Sequence, residues 1–169
     1  MSDTTEAVLK ELPRLRRYAL VLLGERTAAD DLVQDTVERA LTRLHLWRTG
    51  TNMRSWLFTM MHNLHVNNVR KSLRRGAHVP LLDNDAALVA KPAQGDSVLV
   101  REVVQAITHL SDDQRSVLAL VVLEGMIYRD VADVMDVPIG TVMSRLARAI
   151  EELRRIMDGE DGATIRRVK

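Results

Sequence analysis

The chain has no cysteine. Disulfides and thiolate-bound zinc are excluded, and a reducing compartment fits that composition. Aromatic residues are nearly as scarce, at 3% of 169 residues, so any core must be built from aliphatic side chains and methionine. There is no apolar run long enough for a signal peptide or a membrane span, and the N-terminus carries Asp3 and Glu6. A soluble, cytoplasmic protein without membrane insertion is expected. Also missing are a nucleophile–base pair, a phosphate-binding glycine loop and a metal-ligand cluster. The expectation is therefore no enzyme activity, catalytic residue, metal, cofactor or small-molecule substrate.

One further absence is informative. No Asp or Glu occurs between Glu38 and Asp83, although the net charge of the whole chain is only +1. The same interval holds Arg39, Arg43, Arg48, Arg54, Arg70, Lys71, Arg74 and Arg75, and four of the five histidines. A segregated basic block is the electrostatic footprint of a polyanion partner; the bland alternative is a solvated cationic face. Immediately before it lies an acidic cluster, Asp30, Asp31, Asp35 and Glu38.

Leu, Val, Ala, Arg and Glu dominate the composition and favour helices over strands. Residues 5–23 have helical periodicity through Val8, Leu12, Leu15, Ala19, Leu22 and Leu23, with Pro13 suited to a first turn. A second helix is expected over 28–46, capped by Thr27 with Asp30 as an imperfect capping box. Its buried side would be Leu32, Val33, Val37, Ala40, Leu41 and Leu44, and its exposed side Asp31, Gln34, Asp35 and Glu38. That polar, acidic side is either ordinary solvation with a favourable helix-dipole contribution or a docking face for a protein. A loop over 47–55 and a Ser55 cap lead into a helix over 56–75. Leu57, Met61 and Leu64 share one face of it. Thr59, Asn63, Asn67, Arg70 and Arg74 share another, within roughly a quarter of the circumference. Amides that lead into arginines suit nucleic acid, because amides read base edges while arginines hold phosphates. Trp56 is read as core rather than as a stacking platform. His62 and His65 alone do not make a metal site.

Residues 76–97 read as a flexible linker, with Pro80, Pro92, Gly76 and Gly95 and no sustained period. The second half opens with Val103, Val104, Ile107 and Leu110 on one face, followed by a Ser111-Asp112-Asp113 cap. The next helix carries Val117, Leu118, Leu120, Val121 and Leu123 and is ended by Gly125. The tail after Asp158 is charged and reads as frayed.

A helix–turn–helix pattern then follows. Ile127, Val131, Val134 and Met135 define an apolar face, and Pro138 ends that helix by forcing its predecessor out of the helical region. Asp136 stands where such turns usually have glycine, and aspartate tolerates the left-handed conformation. The second helix buries Val142, Leu146, Ala149, Ile150 and Leu153. It exposes Thr141, Ser144, Arg145 and Arg148, with no acid from Val137 to Ile150. Short polar residues backed by arginines are the parts needed to enter a major groove. The same shape also serves as a plain packing unit.

Taken together, these segments resemble an extracytoplasmic-function sigma factor of bacterial RNA polymerase, with some likeness to the general-stress branch in Leu12-Pro13-Arg14-Leu15-Arg16-Arg17-Tyr18. The resemblance spans nearly the whole chain outside the linker and termini. It rests on Ala29-Asp30-Asp31-Leu32-Val33-Gln34-Asp35-Thr36, on Ser55-Trp56-Leu57-Phe58 with Asn63, on the run from Leu110 to Leu118, and on Val137-Pro138-Ile139-Gly140-Thr141-Val142-Met143-Ser144-Arg145. It implies an all-α protein of two small helical domains, sigma domain 2 over 5–75 and sigma domain 4 over 98–157. Core RNA polymerase, promoter DNA and an anti-sigma factor would be its partners. By resemblance, Asp31, Leu32, Gln34, Asp35 and Glu38 would meet polymerase. Arg48, Thr51, Asn52 and Met53 would hold a flipped non-template base, with Asn63 beside it, and Asn67, Arg70, Lys71 and Arg74 would also contact DNA. Thr141, Met143, Ser144, Arg145 and Arg148 would face the minus-thirty-five element, with Arg145 on the backbone. Met143 departs from the charged or polar residue usual there, so readout at that point is expected to be apolar, as against a thymine methyl. The alternatives are a sigma-like mimic that binds only an anti-sigma factor and a helix–turn–helix repressor. The first usually carries a receiver domain and the second a dimerisation helix, and the sequence has neither.

Overall fold

The fold follows from how far each apolar stripe runs before the chain breaks. The computed structural model describes residues 3–76 and 98–159, and every regular element among them is helical. In the first half these are α1 (Asp3–Lys10), α2 (Leu12–Leu23), α3 (Arg26–Thr42), a short 3-10 turn (Leu44–Leu46) and α4 (Met53–Arg74). The second half has α5 (Val98–Thr108), α6 (Asp112–Leu118), a π turn (Ala119–Leu123), α7 (Tyr128–Met135) and α8 (Ile139–Met157). The expected linker falls almost wholly outside the described residues, as does most of the charged tail.

Several local expectations shift for identifiable reasons. The single helix expected over 5–23 is two, because Pro13 sits in the first turn of α2 and the chain re-starts at Glu11. Glu25, not Thr27, caps α3: its carboxylate accepts from the backbone N–H groups of Thr27 and Ala28, both at 2.7 Å. Those charge-assisted bonds hold Glu25 below the usual carboxylate range. Asn52, not Ser55, caps α4, accepting from the Ser55 N–H at 3.3 Å. The loop between is shorter than expected and is closed by Thr51, whose N–H and hydroxyl both donate to the Arg48 carbonyl. Ser111 and Gln114 form the full capping box of α6. Asp136 adopts the left-handed conformation at φ 53°, as the turn requires.

In the core Tyr18 stands edge-on to Phe58, with ring centroids 5.2 Å apart. Around them pack Leu15, Leu22, Leu57 and Met61, while Leu120, Val131, Val134 and Val142 are buried in the second half. Trp56 packs partly buried against this core, as expected. Leu41, Ile127 and Ile150 were expected inside, but they are exposed. Ile127 precedes α7 rather than belonging to it. Leu123 is exposed because the π turn, closed by the Glu124 N–H on the Ala119 carbonyl, breaks the α-helical register that would have turned it inward.

The sequence left open whether the two halves lie packed together or apart. They pack together, with α2 against α6 and the π turn, and α4 against α7. One buried apolar cluster runs through both.

Candidate nucleic-acid and polymerase interfaces

Three surfaces carry the residues singled out from the sequence. The first is the outer side of α3. Residues 32, 33, 36 and 40 turn inward at helical spacing, which leaves Asp31, Gln34, Asp35 and Glu38 exposed. Among the described residues no basic side chain lies within ion-pair distance of Asp31, Asp35 or Glu38, whereas Asp30 pairs with Arg16 at 3.0 Å. Leu32, expected to share this surface, is buried in the core at 3% exposure. It reaches the surface only as part of a groove of about 310 Å³ formed with Leu23, Ala28, Val69 and the rim acids Asp31 and Asp35. Arg39, Arg43 and Lys71 line the adjoining cleft beside Asp35 and Glu38. An apolar floor with an acidic rim suits a protein partner better than a polyanion.

The second surface is the amide stripe of α4. Asn63, Asn67, Arg70 and Arg74 are exposed, as is Lys71 beside them, whereas Thr59 is half-buried and donates its hydroxyl to the Ser55 carbonyl. Asn63, Asn67 and Arg70 line a cleft of about 650 Å³ with Arg39, His62 and Val66. The loop residues Arg48, Thr51, Asn52 and Met53 do not reach this cleft. Asn63 lies ten residues beyond Met53, about 15 Å along the axis at 1.5 Å per residue. Arg48 and Thr51 are exposed; the Asn52 carbonyl is engaged as a cap, and Met53 packs partly against the core. Arg54 of the basic block is taken up by Glu11 at 3.2 Å.

The third surface is the outer face of α8. Met143, Ser144 and Arg148 are exposed. Thr141 and Arg145 are half-buried, and the Arg145 guanidinium pairs with Asp113 of α6 at 3.2 Å. Arg115 holds the approach to α6, donating to the Leu110 carbonyl at 2.9 Å and the Thr108 carbonyl at 3.3 Å.

Sequence reasoning missed the polar groups between the halves. The Glu124 carboxylate is fully buried and accepts two bonds from Arg17 of α2, Nε to Oε1 at 2.8 Å and Nη2 to Oε2 at 3.0 Å. Arg14 adds a third cationic contact at 3.6 Å. The hydrogen bond to Glu124 raises the Arg17 pKa above its ordinary value. His65 of α4, also buried, meets Asp112 of α6 at 2.8 Å. Burial pushes the Asp112 carboxyl up, but the His65 hydrogen bond and the nearby charges of His65 and Arg115 outweigh it and hold it below its ordinary range. The two histidines thus have partners other than a metal, since the Tyr18 hydroxyl lies 3.5 Å from His62 Nδ1.

Burial holds the His62 imidazole below its ordinary pKa. His65 and Arg145 push the same way, while Asp112 and Asp113 oppose them. A histidine with a lowered folded-state pKa contributes stability that is complete above about pH 6.5 and is lost as pH falls through the folded value. Thermal stability is therefore expected to fall between pH 7 and pH 5. Asp112, also lowered, loses its contribution only below the carboxylate range. His62→Gln should flatten the fall in melting temperature over pH 7 to 5; an unchanged slope would assign the acid sensitivity to other groups.

Residues 8–62 match the family model of the Sigma2 domain of PhyR, and residues 101–153 match sigma-70 region 4. The chain is 36% identical to the ECF RNA polymerase sigma factor EcfG of Rhodopseudomonas palustris (strain TIE-1), over 89% of this chain and 82% of the relative. It is 35% identical to the ECF RNA polymerase sigma factor SigC of Mycobacterium tuberculosis (strain CDC 1551 / Oshkosh), over 82% and 75%. Among solved structures it is similar to the sigma factor RpoE in complex with the anti-sigma factor NepR from Bartonella quintana. The TM-score there is 0.78 at 31% identity, covering 94% of this chain and 98% of the other.

Proposed function

The chain belongs to the ECF sigma factors of RNA polymerase, and we propose that its three surfaces divide the work of promoter use among themselves. As a sigma factor it directs core polymerase to specific promoters and takes part in initiation. The α3 strip of Asp31, Gln34, Asp35 and Glu38, with Leu32 beneath it, docks on polymerase. The loop residues Arg48, Thr51, Asn52 and Met53 take an unstacked base, at an unstacking cost of a few kcal/mol. Asn63, Asn67, Arg70, Lys71 and Arg74 then follow the melted strand. Thr141, Met143, Ser144, Arg145 and Arg148 read the minus-thirty-five element through the major groove. The protein supplies no catalysis of its own, works in the cytoplasm where polymerase is, and is held in check by an anti-sigma factor. No described helix is long and apolar enough to cross a membrane.

The observation that carries this reading is the coexistence of an acidic strip on α3, without an ion pair among the described residues at Asp31, Asp35 or Glu38, with an α8 face that exposes Met143, Ser144 and Arg148. A repressor has no use for the first, and a mimic that binds only an anti-sigma factor has none for the second. The test is transcription in vitro by core polymerase supplied with the purified chain and sheared genomic DNA of the source bacterium, with sequencing of RNA 5′ ends. Recurrent start sites that depend on the chain are expected. Tight binding to duplex DNA without polymerase, and no starts, would favour the repressor. Capture of an anti-sigma factor with neither DNA binding nor starts would favour the mimic.

A further inference from the structure

The side chains at the start of α8 sort by chemistry around the helix axis. At about 100° per residue, Ile139 and Met143 lie about 40° apart on one edge of the face that looks away from the buried Val142, Leu146 and Ala149. Thr141 and Arg145 take the other edge. That polar edge is largely engaged within the protein. Ser144 donates its hydroxyl to the Thr141 carbonyl at 3.1 Å. Thr141 and Arg145 are half-buried, and the Arg145 guanidinium pairs with Asp113 at 3.2 Å. Ile139 and Met143, in contrast, are 48% and 53% exposed. The first two turns of the helix therefore present hydrocarbon and a thioether to the outside.

Gly140 lies beside them. A Cβ built on it would meet no atom beyond its chain neighbours and own helix within 4 Å, and its φ is not positive. Neither internal packing nor a left-handed turn requires glycine there, and glycine weakens a helix relative to alanine. A missing side chain at that point suits a surface approached closely from outside.

The N-terminal residues of a recognition helix are the ones that reach base edges in the major groove. The apolar group on show there is the thymine C5-methyl; the other bases present hydrogen-bonding groups. Residues four apart on a helix are separated by about 6 Å along its axis, and successive bases by about 3.4 Å. Resting on the assignment of α8 to the minus-thirty-five element, we infer that Ile139 and Met143 form an apolar reader that selects thymine at two positions of that element, one or two base steps apart, by contact with the methyl groups. Ile139, which carries no polar or charged group, is thereby a specificity-determining residue. The same pair rejects cytosine, because it would cover the amino donor of that base without offering an acceptor.

Promoters mapped by sequencing of RNA 5′ ends supply the probe. Each thymine of the minus-thirty-five element is replaced in turn by 2′-deoxyuridine, which removes only the methyl. Initiation by core polymerase with subsaturating chain gives the apparent affinity. Loss of one selected methyl should weaken it about fourfold, and loss of both roughly fifteenfold. Deoxyuridine between the two promoter elements is the control and should change nothing. In Ile139→Ala and in Met143→Ala, with circular dichroism as the check on folding, one of the two methyl effects should vanish and the other persist. The parent result does not depend on either variant, since the change is in the DNA. Elements without a recurrent thymine pair at that spacing would overturn the reader. So would a parent indifferent to deoxyuridine, or methyl effects unaltered in both alanine variants. Recurrent starts with any of these results leave the sigma assignment standing, whereas a parent that gives no starts removes that assignment and the reader with it.

Discussion

Asp35→Lys is expected to abolish association with core RNA polymerase while leaving the fold intact. Asp35 is exposed on α3, is held by no ion pair among the described residues, and forms part of the rim of the apolar groove floored by Leu32 and Val69. The inward positions Leu32, Val33, Thr36 and Ala40 are untouched by the change. Stability should therefore move by about 0.5 kcal/mol or less. The new ammonium would join Arg39 and Lys71, which already line the cleft next to it, and would turn an acidic rim basic. Reversing a charge at a complementary interface costs 2–5 kcal/mol or so, which is about 30-fold to several thousand-fold in affinity. The measurement is polymerase pull-down with matched melting curves for parent and variant. Normal recovery of polymerase by a folded Asp35→Lys protein would remove the docking assignment and strengthen the case for a repressor.

Arg148→Ala is expected to give the complementary defect, with polymerase bound as in the parent and promoter use reduced. Arg148 projects from α8 on the face that carries Met143 and Ser144, opposite the buried Val142, Leu146 and Ala149. Alanine is the better helix former, so the helix should not suffer. Arg145, one turn earlier, is partly engaged by Asp113 at 3.2 Å, which leaves Arg148 the more available guanidinium. If it reads a guanine edge, its loss should cost about 1–3 kcal/mol and relax specificity at one base pair. If it holds a phosphate, the loss should be similar for all promoters and the salt slope should fall by about one. Initiation on matched and single-base-altered promoters at two salt concentrations distinguishes these outcomes. Activity equal to the parent at every promoter would mean that the recognition helix had been misplaced.

What could be read from the chain without its structure was whatever is decided within a few residues. The α7–turn–α8 unit is of this kind: Val131, Val134 and Met135 recur at helical spacing, Pro138 dictates the conformation of Val137, and Asp136 takes the left-handed turn. The capping box of Ser111 and Gln114 is equally local. So is the segregation of charge, because the position of an acid or an arginine along the chain is not altered by folding. Helix ends were less legible, since several side chains near one another compete for the same N–H groups. Glu25 and Asn52 won over Thr27 and Ser55 through geometry that spacing alone does not contain. Ile127 and Leu41 fitted a stripe but found no neighbour to cover them, because a stripe marks only the burial a helix could have. The meeting of Arg17 with Glu124, 107 residues apart in the chain, was beyond any local pattern. In sequence an arginine and a glutamate look the same whether they end in water or against each other where two halves of a chain meet. Only the sum of many apolar contacts between α2, α4, α6 and α7 places them together, and that sum is a property of the folded chain. The sequence therefore determined which surfaces exist, and the tertiary structure decided how the two halves that bear them meet.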